Sequence, residues 1–135
     1  MKKLALLFFL TFSLSLTAQN EKLVGKWTGE SKGEVGSIIF DSEGFITFII
    51  GGETMGGKEF NAGNEMASMT YSVDYSVEPY PIEMTITGKT SGQEAKMYGF
   101  IQFLTDDSIK MATGNIGQKI TAITEENSIV LTKEK

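Results

Sequence analysis

The sequence predicts a single small all-β domain that folds as an antiparallel, up-and-down barrel of eight strands. Short apolar and β-branched runs recur between clusters of Gly, Asn, Asp and Ser, as is typical of strands joined by turns. Several runs alternate between apolar and polar residues, which indicates strands with one buried and one solvated face. No segment keeps a 3.6-residue periodicity over two turns, so we expect no long helix after the N-terminal region.

The first 18 residues predict a cleavable signal peptide. Lys2 and Lys3 supply a positive start, Leu4 to Leu16 forms an apolar run, and Ala18 is a small residue suited to cleavage. A membrane anchor is the alternative, but the apolar run is shorter than the roughly 20 residues that span a bilayer. We therefore expect residues 19–135 to form the mature domain, without a membrane span, in the periplasm or secreted.

Eight runs of the mature chain predict strands, and consecutive runs are joined by hairpin-like turns such as Asp41 to Gly44 and Thr105 to Ser108. Because neighbours in sequence are then neighbours in the sheet, a barrel is favoured over a Greek-key sandwich. The faces of residues 35–40 and 45–50 stay undecided, since both runs are apolar on both sides. The runs are Leu23 to Glu30, Val35 to Phe40, Phe45 to Ile50, Glu65 to Tyr75, Ile82 to Thr87, Ala95 to Leu104, Ser108 to Thr113 and Ser128 to Lys133.

The segment from Gly51 to Asn64 predicts a long Gly-rich loop, either a flap over the barrel mouth or an ordinary flexible connection. It contains G-x-x-x-x-G-K between Gly52 and Lys58, the spacing of a phosphate-binding loop. Glu59 replaces the Ser or Thr that such a loop requires, and no helix pattern follows. We therefore expect no nucleotide site here.

The composition excludes several classes of function. The chain has no His and no Cys, which removes Ser-His-Asp and Cys-His catalysis, imidazole metal sites and disulfides. All 12 basic residues are Lys, so the forked contacts of Arg with phosphate and guanine are absent and nucleic acid is not an expected partner. The adjacent carboxylates Asp106-Asp107 and Glu125-Glu126 are expected to be solvated charges. The sequence thus predicts no enzyme, no cofactor and no metal.

Near the start of the mature domain, Gly25-Lys26-Trp27 resembles the first-strand G-x-W signature of the lipocalins and of small exported bacterial lipocalin-like domains. Further stretches look like successive landmarks of such a domain: Tyr71 to Pro79, Ile82 to Ile86, Tyr98 to Ile101 and Asp107 to Met111. The resemblance implies an eight-stranded barrel that is closed at the Trp end and able to hold a small apolar ligand at the other.

The chain departs from the secreted lipocalins in three respects. It is shorter, it lacks their disulfides, and it has no Arg near the C-terminus to stack on Trp27. Lys133 is the nearest candidate for that role. We therefore expect Gly25, Trp27 and Lys133 to close one end of the barrel, with Trp27 as a buried plug.

Three functions remain open from the sequence, and the third, an enzyme that works through carboxylates or Tyr hydroxyls, is the least favoured. The first is binding of a small hydrophobic molecule inside the barrel, with Tyr71, Val73, Met84, Ile86 and Phe100 expected as inward-facing ligand residues. The second is a protein-binding module, an inhibitor or an envelope accessory protein, that has no ligand cavity. It would use exposed apolar residues such as Met55, Phe60 and Tyr80.

Overall fold

The structure is a computed structural model that describes residues 22–31 and 33–135. The predicted signal peptide, residues 1–18, and its cleavage site lie outside the described residues. Within them, no helix is long and apolar enough to cross a membrane. The chain there forms ten strands: β1 (Gly25–Ser31), β2 (Glu34–Phe40), β3 (Ile46–Ile50), β4 (Glu53–Gly56), β5 (Phe60–Asn61), β6 (Met66–Val73), β7 (Tyr80–Gly88), β8 (Glu94–Thr105), β9 (Ser108–Thr113) and β10 (Ser128–Lys133).

All ten strands join one antiparallel sheet that is nearly closed into a barrel. Its order is β4-β3-β2-β1-β10-β9-β8-β7-β6-β5, so consecutive strands pair as hairpins and β1 pairs with β10. The edges β4 and β5 face each other across a seam. Two backbone hydrogen bonds from β6 also cross this gap: Met69 N donates to Gly57 O (2.9 Å), and Tyr71 N donates to Gly44 O (3.0 Å). The predicted all-β, antiparallel meander is confirmed.

The predicted number of eight strands is wrong, because the segment expected to be a loop contains β4 and β5. Gly51 and Gly52 both have positive φ (59° and 83°) and form a two-residue turn between the paired residues Ile50 and Glu53. Two successive positive φ angles match the right-handed twist of a tight hairpin, and glycine adopts them without steric cost. The apolar run of β3 therefore turns back at once into a polar, mostly exposed strand.

The core occupies most of the barrel interior, and its buried residues show which faces of β2 and β3 point inward. Ile38 and Phe40 of β2 and Ile46 and Phe48 of β3 are buried on the inner face, whereas Val35 lies on the outer face and is 58% exposed. Alternation along a strand makes this assignment consistent for the whole run. The buried core cluster is Leu23, Trp27, Ile38, Phe40, Ile46, Phe48, Met69, Ile82, Met84, Ile101, Ile109, Met111 and Leu131.

The two ends of the barrel differ. We call the end where β1 begins and β10 finishes, around Trp27 and Lys133, the closed end, because side chains fill it. We call the opposite end, around Ser31, Ile50 and Thr113, the open end. Since strands alternate in direction, each hairpin turn lies at one of these two ends.

Candidate functional site

A cavity of about 250 Å³ lies at the open end of the barrel, and we call it the open-end cavity. Most of its apolar wall comes from inward side chains of β2, β3, β9 and β10. Polar side chains join the lining where these strands end. The lining residues are Ser31, Gly36, Ser37, Ile38, Phe48, Ile50, Met111, Thr113, Glu126, Asn127, Ser128, Ile129 and Leu131.

The polar part of the rim is organised by the connection between β9 and β10. Asn127 Nδ2 donates to Ala122 O (3.0 Å), and Asn127 Oδ1 accepts from Thr124 N (2.8 Å). Ser128 Oγ donates to Thr124 O. These bonds occupy the Asn127 and Ser128 side chains in holding the connection. Glu126 also lines the cavity, and it makes no hydrogen bond or ion pair with any other described residue.

Gly36 is a lining residue that contributes no side chain to the open-end cavity. It lies on β2 opposite Ile50. A Cβ atom added to Gly36 would have Ile49 O at 3.6 Å and Ile50 Cγ1 at 3.7 Å as its nearest neighbours, which is ordinary van der Waals contact. The backbone at position 36 therefore leaves room for a Cβ atom.

The structure places the five predicted ligand residues away from the open-end cavity. Tyr71 and Val73 on β6 and Met84 and Ile86 on β7 face the interior. Met84 is fully buried in the core, and the other three pack against it. None of the five lines the open-end cavity.

Phe100 lies on the outer face of the sheet, so its expected inward orientation is wrong. Its neighbours Gly99 and Ile101 are buried on the inner face, and alternation directs Phe100 outward, opposite Pro81 of β7 and Ala112 of β9. It lines a groove of about 380 Å³ outside the barrel. The physical reason is the β9 to β10 connection, which covers this part of the outer face and makes it apolar as well.

Tyr71 and the neighbouring Tyr75 have protonated hydroxyls at neutral pH. Burial raises the pKa of Tyr71, and the nearby Asp41 carboxylate raises it further. Its hydroxyl donates to Asp41 O (3.0 Å), and its ring meets Phe40 edge-on, with the ring centroids 5.0 Å apart. Burial, followed by the proximity of Tyr71 and Tyr80, also raises the pKa of Tyr75.

The expected barrel-closing residues lie together at the closed end. Trp27 has no exposed surface, and its Nε1–H donates to Leu23 O (2.8 Å). Lys133 Nζ lies 5.5 Å from the centre of the Trp27 ring and donates to Lys22 O (3.0 Å). Gly25 has a φ of 140°, and a Cβ atom there would lie 2.8 Å from Lys133 Cε. Glycine at position 25 thus leaves the space through which Lys133 reaches the ring.

No family model, curated protein or solved structure matches this chain.

The closed end also carries a cleft, of about 470 Å³, around Tyr75, Tyr80 and Phe103. Its wall includes the exposed ion pair between Lys22 and Asp106, 3.3 Å apart. Three aromatic rings contribute to this cleft, but the charged pair makes its exposed lining more polar than that of the open-end cavity. The open-end cavity is the better candidate.

The Gly-rich segment does not form a phosphate site in the described structure. Lys58 pairs with Glu43 (2.6 Å), and this hydrogen bond, together with the Glu43 charge, raises the pKa of Lys58. Strand β5 follows at Phe60, where a phosphate-binding loop needs a helix N-terminus. Phe60 packs against the core, whereas Met55 on β4 is exposed.

The residues that form the apolar cavity wall were not among the predicted ligand residues. Ile129 and Leu131 alternate with Val130 along β10, and Met111 lies opposite Ile129 on β9. That alternation identifies an inner face, and it was available from the sequence. The cavity itself has no such signal in the sequence, because residues of several strands and of the β9 to β10 connection enclose it together.

Proposed function

We propose that this domain is an exported, lipocalin-like carrier that binds a small hydrophobic molecule in the open-end cavity. The observation that carries the proposal is a cavity with apolar walls inside one end of a nearly closed barrel whose other end is filled by Trp27. The Gly25-Lys26-Trp27 signature at the start of β1 supports the lipocalin-like relationship. Transfer of apolar surface from water to such walls is the driving force for binding.

The size of the cavity restricts the ligand. Pockets for drug-sized ligands enclose roughly 300–1,000 Å³, and the open-end cavity has about 250 Å³. We infer a ligand with one short alkyl chain or one ring system, whose polar group remains at the rim near Ser31 and Thr113. A long-chain lipid would extend beyond the open end.

The test is a titration of the exported protein with the neutral, apolar fluorophore N-phenyl-1-naphthylamine. We expect saturable binding with increased fluorescence, and native mass spectrometry of protein purified from its own envelope should show a co-purifying small molecule. Absence of saturable binding, together with a stoichiometric protein partner in the native spectrum, would favour the protein-binding module instead.

A cavity-filling substitution links binding to this site. Gly36→Val directs a branched side chain into the open-end cavity, and we expect it to weaken fluorophore binding at least about tenfold. The free energy of unfolding should be unchanged or higher by about 0.5 to 1 kcal/mol, because glycine weakens a strand. The matched control is Val35→Ile, which enlarges the adjacent residue on the outer face. Equal binding by the Gly36→Val protein and the unsubstituted protein would place the ligand elsewhere.

A further inference from the structure

The lining of the open-end cavity has a defined charge. Its hydroxyl and amide side chains are neutral, and Glu126 is its one ionisable residue among those that the structure describes. The Glu126 carboxylate is exposed at the rim and has no cation beside it within residues 22–31 and 33–135. A ligand in the cavity therefore places its polar group near the negative charge of Glu126.

The charge of the head group then changes the binding constants of ligands that share the same apolar part. A ligand carboxylate near Glu126 is repelled, whereas an ammonium group is attracted. At a separation of about 5 Å, with an effective dielectric constant between about 80 and 40, one unit charge changes the binding constant by about 4- to 16-fold. The acidic residues Glu34 and Glu53 near the same end act in the same direction, whereas Lys119 of the β9 to β10 connection acts against them.

We propose that the ligand is an amphiphilic amine, a short apolar chain or ring carrying one cationic head group, and that Glu126 selects it. This inference rests on the proposed binding function of the open-end cavity. Apolar contacts with Ile38, Phe48 and Ile129 would hold the apolar part, and Glu126 would pair with the head group at the solvent boundary. Pairing there avoids the cost of burying a charge in the apolar interior.

The experiment compares three probes with the same eight-carbon chain: octylamine, 1-octanol and octanoate. Each displaces N-phenyl-1-naphthylamine from the exported protein at neutral pH and low salt, where exposed charges are least screened. We expect octylamine to bind at least about fourfold more tightly than octanol, and octanoate to bind more weakly than octanol.

The matched variants are Glu126→Gln and Glu125→Gln. Both remove one carboxylate from the same connection, but only Glu126 lines the cavity. We expect Glu126→Gln to bring octylamine to the affinity of octanol while octanol itself is unaffected, and Glu125→Gln to keep the preference for the amine. Lys32 lies outside the described residues, and Lys32→Gln is included because it follows the lining residue Ser31.

The outcomes separate the two proposals. If none of the three probes displaces the fluorophore and the fluorophore itself does not bind, the carrier function fails. If octanol binds as tightly as octylamine, or if the two Gln variants lose the preference equally, the carrier function stands and the selection by Glu126 is wrong. Tighter binding of octanoate that is lost in Lys32→Gln would likewise overturn the amine assignment.

Discussion

Replacing Trp27 by alanine removes the largest fully buried side chain of the described residues. The ring fills the closed end, its edge meets Phe103 with the centroids 6.3 Å apart, and its Nε1–H bonds to Leu23 O at 2.8 Å. Large-to-small substitution of a buried Trp costs about 3 to 5 kcal/mol, the spread depending on how far the site collapses. The upper half of that range is expected here, because Leu23 O also loses its donor.

Lys133→Ala serves as the comparison at the same site. Its ammonium lies 5.5 Å from the Trp27 ring centre and bonds to the Lys22 carbonyl, but the side chain is partly exposed. A cation over an aromatic ring contributes about 0.5 to 1 kcal/mol when it is exposed. We therefore expect Lys133→Ala to lower the free energy of unfolding by about 1 kcal/mol or less, well below the effect of Trp27→Ala.

Urea denaturation measures the free energy of unfolding of both variants. Val130→Ala, an exposed outer-face change on β10, is the control for a substitution on the same strand as Lys133. Trp27 is the chain's only Trp, so Lys133→Ala can also be followed through the emission of that one residue. If Trp27→Ala prevents folding, Trp27→Phe is measured instead. Its loss of unfolding free energy should lie between the losses expected for Lys133→Ala and for Trp27→Ala. A loss below about 1 kcal/mol for Trp27→Ala would refute the role of Trp27 as the plug of the closed end.

Two further predictions concern pH and export. Glu65 accepts hydrogen bonds from Thr90 N (3.0 Å), Ser91 N (3.0 Å) and Ser91 Oγ (2.7 Å), which lower its pKa below the ordinary value of 4.5. A lowered pKa gives stability that is complete above the ordinary value and is lost as the pH falls through the lowered one. Glu65→Gln should therefore reduce the melting temperature at pH 7, and the difference from the unsubstituted protein should shrink below about pH 4.5; a difference independent of pH would contradict this. The leader predicts an exported protein beginning at Gln19, which N-terminal mass analysis checks, and an intact Met1 in the membrane fraction would contradict cleavage.

The fold was predictable where the sequence alternates in polarity. Tyr71 and Val73 on β6 and Met84 and Ile86 on β7 read directly as inner-face residues, because the opposite faces of these strands carry polar side chains. The consecutive glycines Gly51 and Gly52 also indicated a hairpin turn. The exposed residues of β4, however, have no apolar pattern that would predict a strand after it. A short polar edge strand is held by backbone bonds that side-chain patterns do not report.

The candidate site was predictable only in part, for two physical reasons. Along β8, Phe100 and Ile101 are both apolar because the β9 to β10 connection covers the outer face, where Ala112 is fully buried. Polarity then no longer distinguishes the two faces. The open-end cavity is enclosed by residues of several strands, Gly36 among them, and its volume follows from the arrangement of the whole barrel.

The pairing of β1 with β10 has a consequence for how the chain folds. It is the one strand pair of the sheet that is not a hairpin between consecutive strands, so the chain must close a loop of about 100 residues to form it. Joining β10 to β1 by a short linker and opening the chain between Gly57 and Phe60 would make every pair sequential. Such a circular permutant keeps the same sheet while its contact order falls, and chains of lower contact order fold faster. The seam between β4 and β5 is thus a natural place for new chain ends.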